Sequence, residues 1–489
     1  MKLIKWMLVP LTLLFGVILV NTLSFTREPI ELTPLLNNAP IDETTVSTRL
    51  SQAIQHQTIS YAEPSQRNPE SFLKFHHFLE ESFPLLHQEL SREKINSLSL
   101  LYKWQGTDNT LKPILLMSHQ DVVPVDQETK EQWTHPAFAG EISDGIIWGR
   151  GAIDIKSGVL GIMEAVENLL AQGYQPKRSI YLAFGHDEEL GGEHGAKQIA
   201  KKFNAQNLAF EFILDEGGSI VSDGVIPGVE SPIALIGIAE KGYVSLKLTA
   251  NATGGHSSMP PKHTALGEIS QAIVNLENNP FPANLAYSKQ LFNKIGPAMD
   301  PVKKAVFANM WLTEPIIEKI LSSSQTTNAT IRTTTAATMA KGSSKDNILP
   351  SEASAIINFR IMPGETIDSV IQYVTAVVNN TNINIQPLPG FGNEPSAVSN
   401  ADHTSFAQLK QSIYRVTQDE SMIVTPYLVV GGTDAKHYSG LSENIYRFAF
   451  NRFKPETLKQ MHGINEHIKI DDYLGTIRFF REVILAANE

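Results

Sequence analysis

Four short segments place carboxylates and imidazoles where they could do chemistry: Ser118-His119-Gln120-Asp121, Gly151-Ala152-Ile153-Asp154, His186-Asp187-Glu188-Glu189 and Leu214-Asp215-Glu216-Gly217. His119 and Asp121 are two apart, so in extended backbone both side chains face the same way. One can then bind a metal through its imidazole while the other orients or tunes it. Asp154 follows a glycine-rich turn that presents it at the entrance to a helix, where a lone Asp would read as an N-cap. Three consecutive acids, Asp187 to Glu189, repel one another unless cations lie close, which makes a metal a reasonable inference. A solvated acidic loop is the plainer alternative. Asp215 and Glu216 end another apolar run, and neighbouring strand residues point to opposite sides, so only one should reach a shared metal. The chain has no cysteine. Thiolate zinc sites, cysteine nucleophiles and disulfide frameworks are therefore excluded, and any metal must be held by His and carboxylates.

Each segment needs an element to hold it. Residues 111–117, 146–149, 179–184 and 210–214 read as strands, and 158–170 and 196–203 as helices. This alternation predicts an α/β domain with a mostly parallel sheet, whose ligands bind beyond the carboxyl ends of the strands. The pattern changes after about residue 240. Strands at 244–248, 355–359 and 383–386 and helices at 265–276 and 366–378 predict an inserted α+β, ferredoxin-like unit over 241–388. Strand and helix signals resume over 389–489, giving a catalytic domain built from 46–240 and 389–489.

The 489 residues are 42% hydrophobic and 19% charged with a formal net charge of -11. This is a globular composition, and it lacks the basic footprint of a nucleic-acid binder. Lys2 and Lys5 precede an apolar run to Phe25, which predicts a transmembrane anchor over 1–25, a linker over 26–45 and a catalytic body outside the cytoplasm. Cleavage of that segment would make the protein secreted. A substrate carboxylate would need a cation. Arg360 is the best candidate because its fork pairs with carboxylate, a surface salt bridge being its other role.

Together the four segments resemble the co-catalytic zinc peptidases that include aminoacylase, carboxypeptidase G, carnosinase and vacuolar carboxypeptidase S. The likeness runs from about residue 70 to the C-terminus. It is closest to carboxypeptidase S, the Gly-X carboxypeptidase, and to the secreted N-fatty-acyl-amino-acid synthase/hydrolase branch. Ser118 to Val125, Leu214 to Gly218 and His462-Gly463-Ile464-Asn465-Glu466 carry that closer likeness. The resemblance implies two Zn²⁺ per subunit, with Co²⁺ or Mn²⁺ as alternatives. It assigns His119 to one metal, Asp154 as the bridge, Glu189 and His462 to the second, and Asp215 or Glu216 to the first, Asp215 being favoured.

The resemblance also makes Glu188 the general base and has Asp121 support His119. His256 in Gly254-Gly255-His256-Ser257-Ser258 would reach a partner subunit's site as an oxyanion donor, which implies a homodimer with the inserted unit as lid and dimerisation domain. Asn347 and Thr433 match substrate-binding positions, although Lys436 stands where close relatives often have Arg, and Lys lacks the planar fork. The implied activity is hydrolysis of an amide in a peptide or N-acyl amino acid, with a free carboxylate beside it. An aminopeptidase or ester deacylase on the same cage, or a non-catalytic binding protein on this fold, are the alternatives.

Overall fold

The structure, a computed structural model, describes residues 2–222 and 224–489, and the side chains of all of these except 2–10 and 391. Among the described residues a ten-stranded sheet forms the centre. Its middle is parallel: Ile180–Gly185, Ile114–His119, Ile213–Asp215 and Ile445–Arg447 lie side by side in that order. Its flanks are mixed. Ser91–Ile95 and Ser99–Trp104 run antiparallel on one side, and Ile233–Glu240 pairs antiparallel with both Ile445–Arg447 and Ser219–Val221 on the other. The sheet, expected to be mostly parallel, is therefore mixed, with parallel pairing where the chemistry-bearing loops leave it.

The helix Lys156–Ala171 packs on this sheet and against the terminal helix Ile470–Ala486. It is buried on nearly every face, with Val159, Leu160, Ile162, Met163, Val166 and Leu169 all in the main core. A helix apolar all round belongs in an interior. One acid shares that burial. Glu164 is 5% exposed and meets Arg49 at 2.9 Å, leaving its Oε1 buried without a partner. Burial pushes its carboxyl from 4.5 up to about 7, against the pull of Arg49. A raised acid pKa stabilises the fold fully below about 4.5, and that contribution is lost as pH rises through about 7. Glu164→Gln should thus gain about 2 to 3 kcal/mol on wild type between pH 5 and pH 8. Urea midpoints at the two pH values measure this; a gap that does not move would remove Glu164 from the account.

The inserted unit is an antiparallel four-stranded sheet in the order Thr334–Lys341, Glu352–Ile361, Gly242–Asn251, Ile383–Asn393. Helices Ala265–Asn278 and Ile367–Val378 pack on it over a separate core of Leu246, Leu248, Ile269, Ile357, Phe359 and Val374. This is a strand-helix-strand-strand-helix-strand arrangement, and its edge strand Thr334–Lys341 is one the sequence did not locate. Between its first helix and second strand stands a helical segment the sequence does not predict: Ala286–Ile295, Pro301–Ala308, Met310–Ser322 and Gln325–Ala329. Its prolines and asparagines read as breakers, yet Pro301 takes the first helical turn behind the cap Asp300, and Pro315 is accommodated inside a helix.

The expected transmembrane helix is corrected. The N-terminal segment forms the helix Lys2–Ser24. Among the described residues, however, no helix is long and apolar enough to cross a membrane. The last turns of Lys2–Ser24 are engaged with protein: Asn21 Nδ2 donates to Asn309 Oδ1 at 3.0 Å, and Asn309 Nδ2 donates to the Ile18 carbonyl and to Thr22 Oγ1 at 3.4 and 3.3 Å.

The stretch after it, expected as a linker, is fastened along the body. Arg27 donates to the carbonyls of Glu420, Ser421 and Met422, and the amides of Leu36 and Asn37 donate to Glu482. A helix, Glu43–Gln55, then begins behind the cap Asp42.

Candidate functional site

The three central parallel strands Ile180–Gly185, Ile114–His119 and Ile213–Asp215 end together, with His119 level with Gly185. The loops beyond them bring His119, Glu189 and Glu216 to one place. Asp154 joins them from the turn before helix Lys156–Ala171, and His462 from a loop late in the chain. Gly151, at φ +90°, permits the turn that delivers Asp154. The Asp154–Ile155 peptide is cis.

Asp154 faces two ways. Its Oδ1 lies 3.1 Å from His119 Nε2, which is itself 3.2 Å from Glu216 Oε1. Its Oδ2 lies 2.9 Å from His462 Nε2, which is 3.3 Å from Glu189 Oε2. Two groups able to hold a metal ion therefore form, His119-Asp154-Glu216 and Asp154-Glu189-His462, sharing one carboxylate. Asp215, favoured at the sequence level, is not in either group. Its Oδ2 is turned away to accept the Ala435 amide at 2.8 Å. The parity of the strand sends one acid to each side, and the site side takes Glu216.

Asp121 does more than support one imidazole. It is fully buried, and its carboxylate accepts the amides of Glu188 and Glu189 at 3.2 Å each and the Ser60 hydroxyl at 2.6 Å. His119 Nδ1 sits 2.9 Å from the Asp121 carbonyl, a contact that puts the proton on Nδ1 and leaves Nε2 to face the cage. Asp121 thus fixes the tautomer and the acidic loop together. Gly192 in that loop, at φ +72°, has no room for a side chain because the buried Asp434 carboxylate fills the space. Glu188 makes no side-chain hydrogen bond or ion pair among the described residues, so its carboxylate is free to act.

The charges are mutually dependent. Burial opposes charging His119, but Glu216, Asp121 and Asp154 outweigh it and hold the imidazole well above its usual range. Asp154 and then Glu189 raise His462 to about 10. Burial resists ionisation of Asp154, yet His119 and His462 keep its carboxyl below the ordinary value. Burial lifts Glu216 to about 7 and lifts Glu188 well above the usual carboxylate range, with Glu216, Asp434 and Glu189 adding to the rise at Glu188.

The remaining expected site residues lie elsewhere. His256 is exposed on the ribbon Gly255–His256, paired with Ile348–Leu349, and its Nδ1 meets Ser258 Oγ at 2.8 Å. Asn347 adjoins it through its carbonyl, which accepts the Ser257 amide. Arg360 lies in the inserted sheet with its guanidinium 4.7 Å over the Tyr243 ring. Among the described residues none of these three hydrogen-bonds or ion-pairs with the cage. Thr433 is buried, donating from both amide and hydroxyl to Glu240 Oε2 at 3.0 Å. Glu240 in turn meets Arg447 at 3.3 Å in a buried pair. The sequence reading missed Ser60 and this Glu240–Arg447 pair, which lie outside any metal-like motif, and gave no role to Asp434, which it placed only in a substrate loop with Thr433. It also left Glu466 unexplained. That carboxylate is buried beside Arg150, and burial raises it to about 7 against the pull of Arg150 and of the Ile153 and Asp154 amides. The rings of His135 and His467 lie tilted against Trp148, 5.0 and 4.3 Å from it between centroids, and His186 Nδ1 meets Ser99 Oγ at 2.7 Å.

Comparison with known proteins agrees with this geometry. The chain is 42% identical over 485 residues to "Probable carboxypeptidase S-like 2" of Dictyostelium discoideum, covering 96% of this chain and 92% of that protein. It is 37% identical over 440 residues to the N-fatty-acyl-amino acid synthase/hydrolase PM20D1 of Xenopus tropicalis, covering 89% and 84%. Among solved structures it resembles an M20 family metallo-carboxypeptidase, Sso-CP2 of Sulfolobus solfataricus, with a TM-score of 0.63 at 17% identity, over 92% of this chain and all of that one. Human carnosine dipeptidase 1 follows at a TM-score of 0.61 and 16% identity, over 91% and 96%. The profile of peptidase family M20/M25/M40 matches residues 115–486. With that match and these relatives, the chain belongs to peptidase family M20/M25/M40, a family of metal-dependent peptidases.

Proposed function

We propose that the chain hydrolyses the amide bond of short peptides at their C-terminus, or of N-acyl amino acids, with two zinc ions held by His119, Asp154 and Glu216 and by Asp154, Glu189 and His462. The observation that carries this reading is Asp154, which offers one oxygen to each group. The donor set fits the ions. Ligands ~2.0 Å from a tetrahedral zinc lie about 3.3 Å apart, and the donor separations here run from 2.9 to 3.3 Å. Glu189 Oε1 is also buried without a protein partner, and carboxylates this crowded need cations to stay ionised.

When bound, such a pair supplies Lewis acidity, polarising the scissile carbonyl and acidifying water. The protein supplies the proton traffic. Glu188 accepts a proton from the water that attacks the carbonyl carbon and returns it to the amide nitrogen as the C–N bond breaks. Asp121 keeps Glu188 and Glu189 in place through their amides.

The names of the two relatives, a carboxypeptidase S-like protein and an N-fatty-acyl-amino acid synthase/hydrolase, support a substrate with a free carboxylate. The test is a panel of matched dipeptides and N-acyl amino acids of several chain lengths, each with a free and an amidated carboxyl. We expect turnover of the free acids, and a kcat/KM at least about 100-fold lower for the amidated partners, as for a site that loses a charged contact. Equal turnover of both, or turnover only with a free amine, would turn the reading toward an ester deacylase or an aminopeptidase.

A further inference from the structure

We infer that Glu466 is a positioning residue, whose buried carboxylate clasps the Asp154 turn to the His462 loop and so sets these two proposed ligands against each other. The inference rests on the metal reading above and adds what holds that cage in shape. His462 is about half exposed and, at φ +58°, sits in a backbone conformation uncommon for a residue with a side chain. Asn465 shares that conformation. Such a loop needs outside support.

Glu466 supplies it. Its Oε1 accepts the amides of Gly151, Ile153 and Asp154 at 3.0, 2.8 and 3.1 Å. Its Oε2 meets Arg150 Nη1 at 2.5 Å, and Arg150 Nη2 donates to the Gly463 carbonyl at 3.0 Å. The Glu466 carbonyl accepts the Gly149 amide at 2.8 Å, and Asn465 Oδ1 accepts the Thr134 amide at 2.6 Å. One fully buried side chain therefore bonds the amide of Asp154 itself, and through Arg150 the residue after His462.

Every one of these partners of the carboxylate is a donor. A carboxylate satisfies all of them with its lone pairs. A glutamine cannot, because its amide would turn two hydrogens toward either Arg150 or the backbone amides. Glu466→Gln therefore keeps the volume and breaks the clasp.

The experiment uses the full chain. Zn²⁺ titration by calorimetry reads affinity, circular dichroism and melting read the fold, and kcat and KM are taken at saturating metal. Val374→Ala, a cavity in the separate core of the inserted sheet, reports what destabilisation alone does. We expect E466Q to stay folded and to bind Zn²⁺ about 10- to 100-fold more weakly, with a lower kcat and little change in KM. V374A should melt lower and keep wild-type affinity. Should E466Q fail to fold, Arg150→Gln leaves the amide contacts filled and should still weaken binding about tenfold. Wild-type affinity in a folded E466Q, or in R150Q where E466Q is unfolded, overturns the inference alone. A wild-type chain that takes up no metal overturns the cage reading and this inference with it.

Discussion

Glu188→Gln should keep its metal and lose about 10³-fold or more in kcat, with KM changed little. The side chain has no hydrogen bond or ion pair among the described residues to lose, and its amide stays on Asp121, so the fold has little reason to respond. What disappears is the acceptor for the water's proton and the donor to the leaving nitrogen. General acid–base steps of this kind contribute about 10²- to 10⁴-fold, and one residue here serves both halves of the transfer. Elemental analysis of the purified variant beside steady-state kinetics makes the comparison. A variant with full metal and near wild-type turnover would take the base away from Glu188. A variant without metal would move the residue into the cage.

Asp154→Asn should be the most damaging single change to metal binding. Each group loses a charged oxygen at once, because Asp154 touches His119 through Oδ1 and His462 through Oδ2. We expect metal content well below that of wild type at both groups and a loss in kcat/KM above about 10³-fold, since polarisation of the carbonyl and acidification of water vanish together. His462→Ala should differ in kind. It removes a ligand from one group and leaves His119, Asp154 and Glu216 intact, so part of the metal should stay. If D154N and H462A lose the same amount, Asp154 is not shared.

Much of this site was legible in the chain because its residues follow strands. His119, the Glu188-Glu189 pair and the Asp215-Glu216 pair each end an apolar run, and runs of that kind form neighbouring parallel strands whose loops converge. The inserted sheet was legible in part: Gly242–Asn251 and Glu352–Ile361 largely alternate and its two helices carry helical spacing, whereas the exposed edge strand Thr334–Lys341 carries no such pattern. The helical segment at 286–329 was not, because proline and asparagine punctuate short helices as readily as they break long ones.

Tertiary structure alone decided the rest. Whether Asp215 or Glu216 reaches the cage depends on which face of a strand looks toward the site. Alternation fixes that the two differ, but both faces of this strand are covered, so pattern gives no sign of which is which. His462 is a lone histidine in its motif, and only the fold brings it within 2.9 Å of Asp154. The N-terminal segment reads as a membrane span from its apolar count. What the count omits is the polar face of its last turns, which Asn309 meets from the far side of the chain. Glu466 shows the same division. The sequence placed it in a motif with His462, and only the fold supplies three amides and a guanidinium to a buried carboxylate. Local spacing therefore determined which residue types stand at the ends of strands. Long-range packing determined which of their atoms meet, because contacts between distant segments leave no period in the chain.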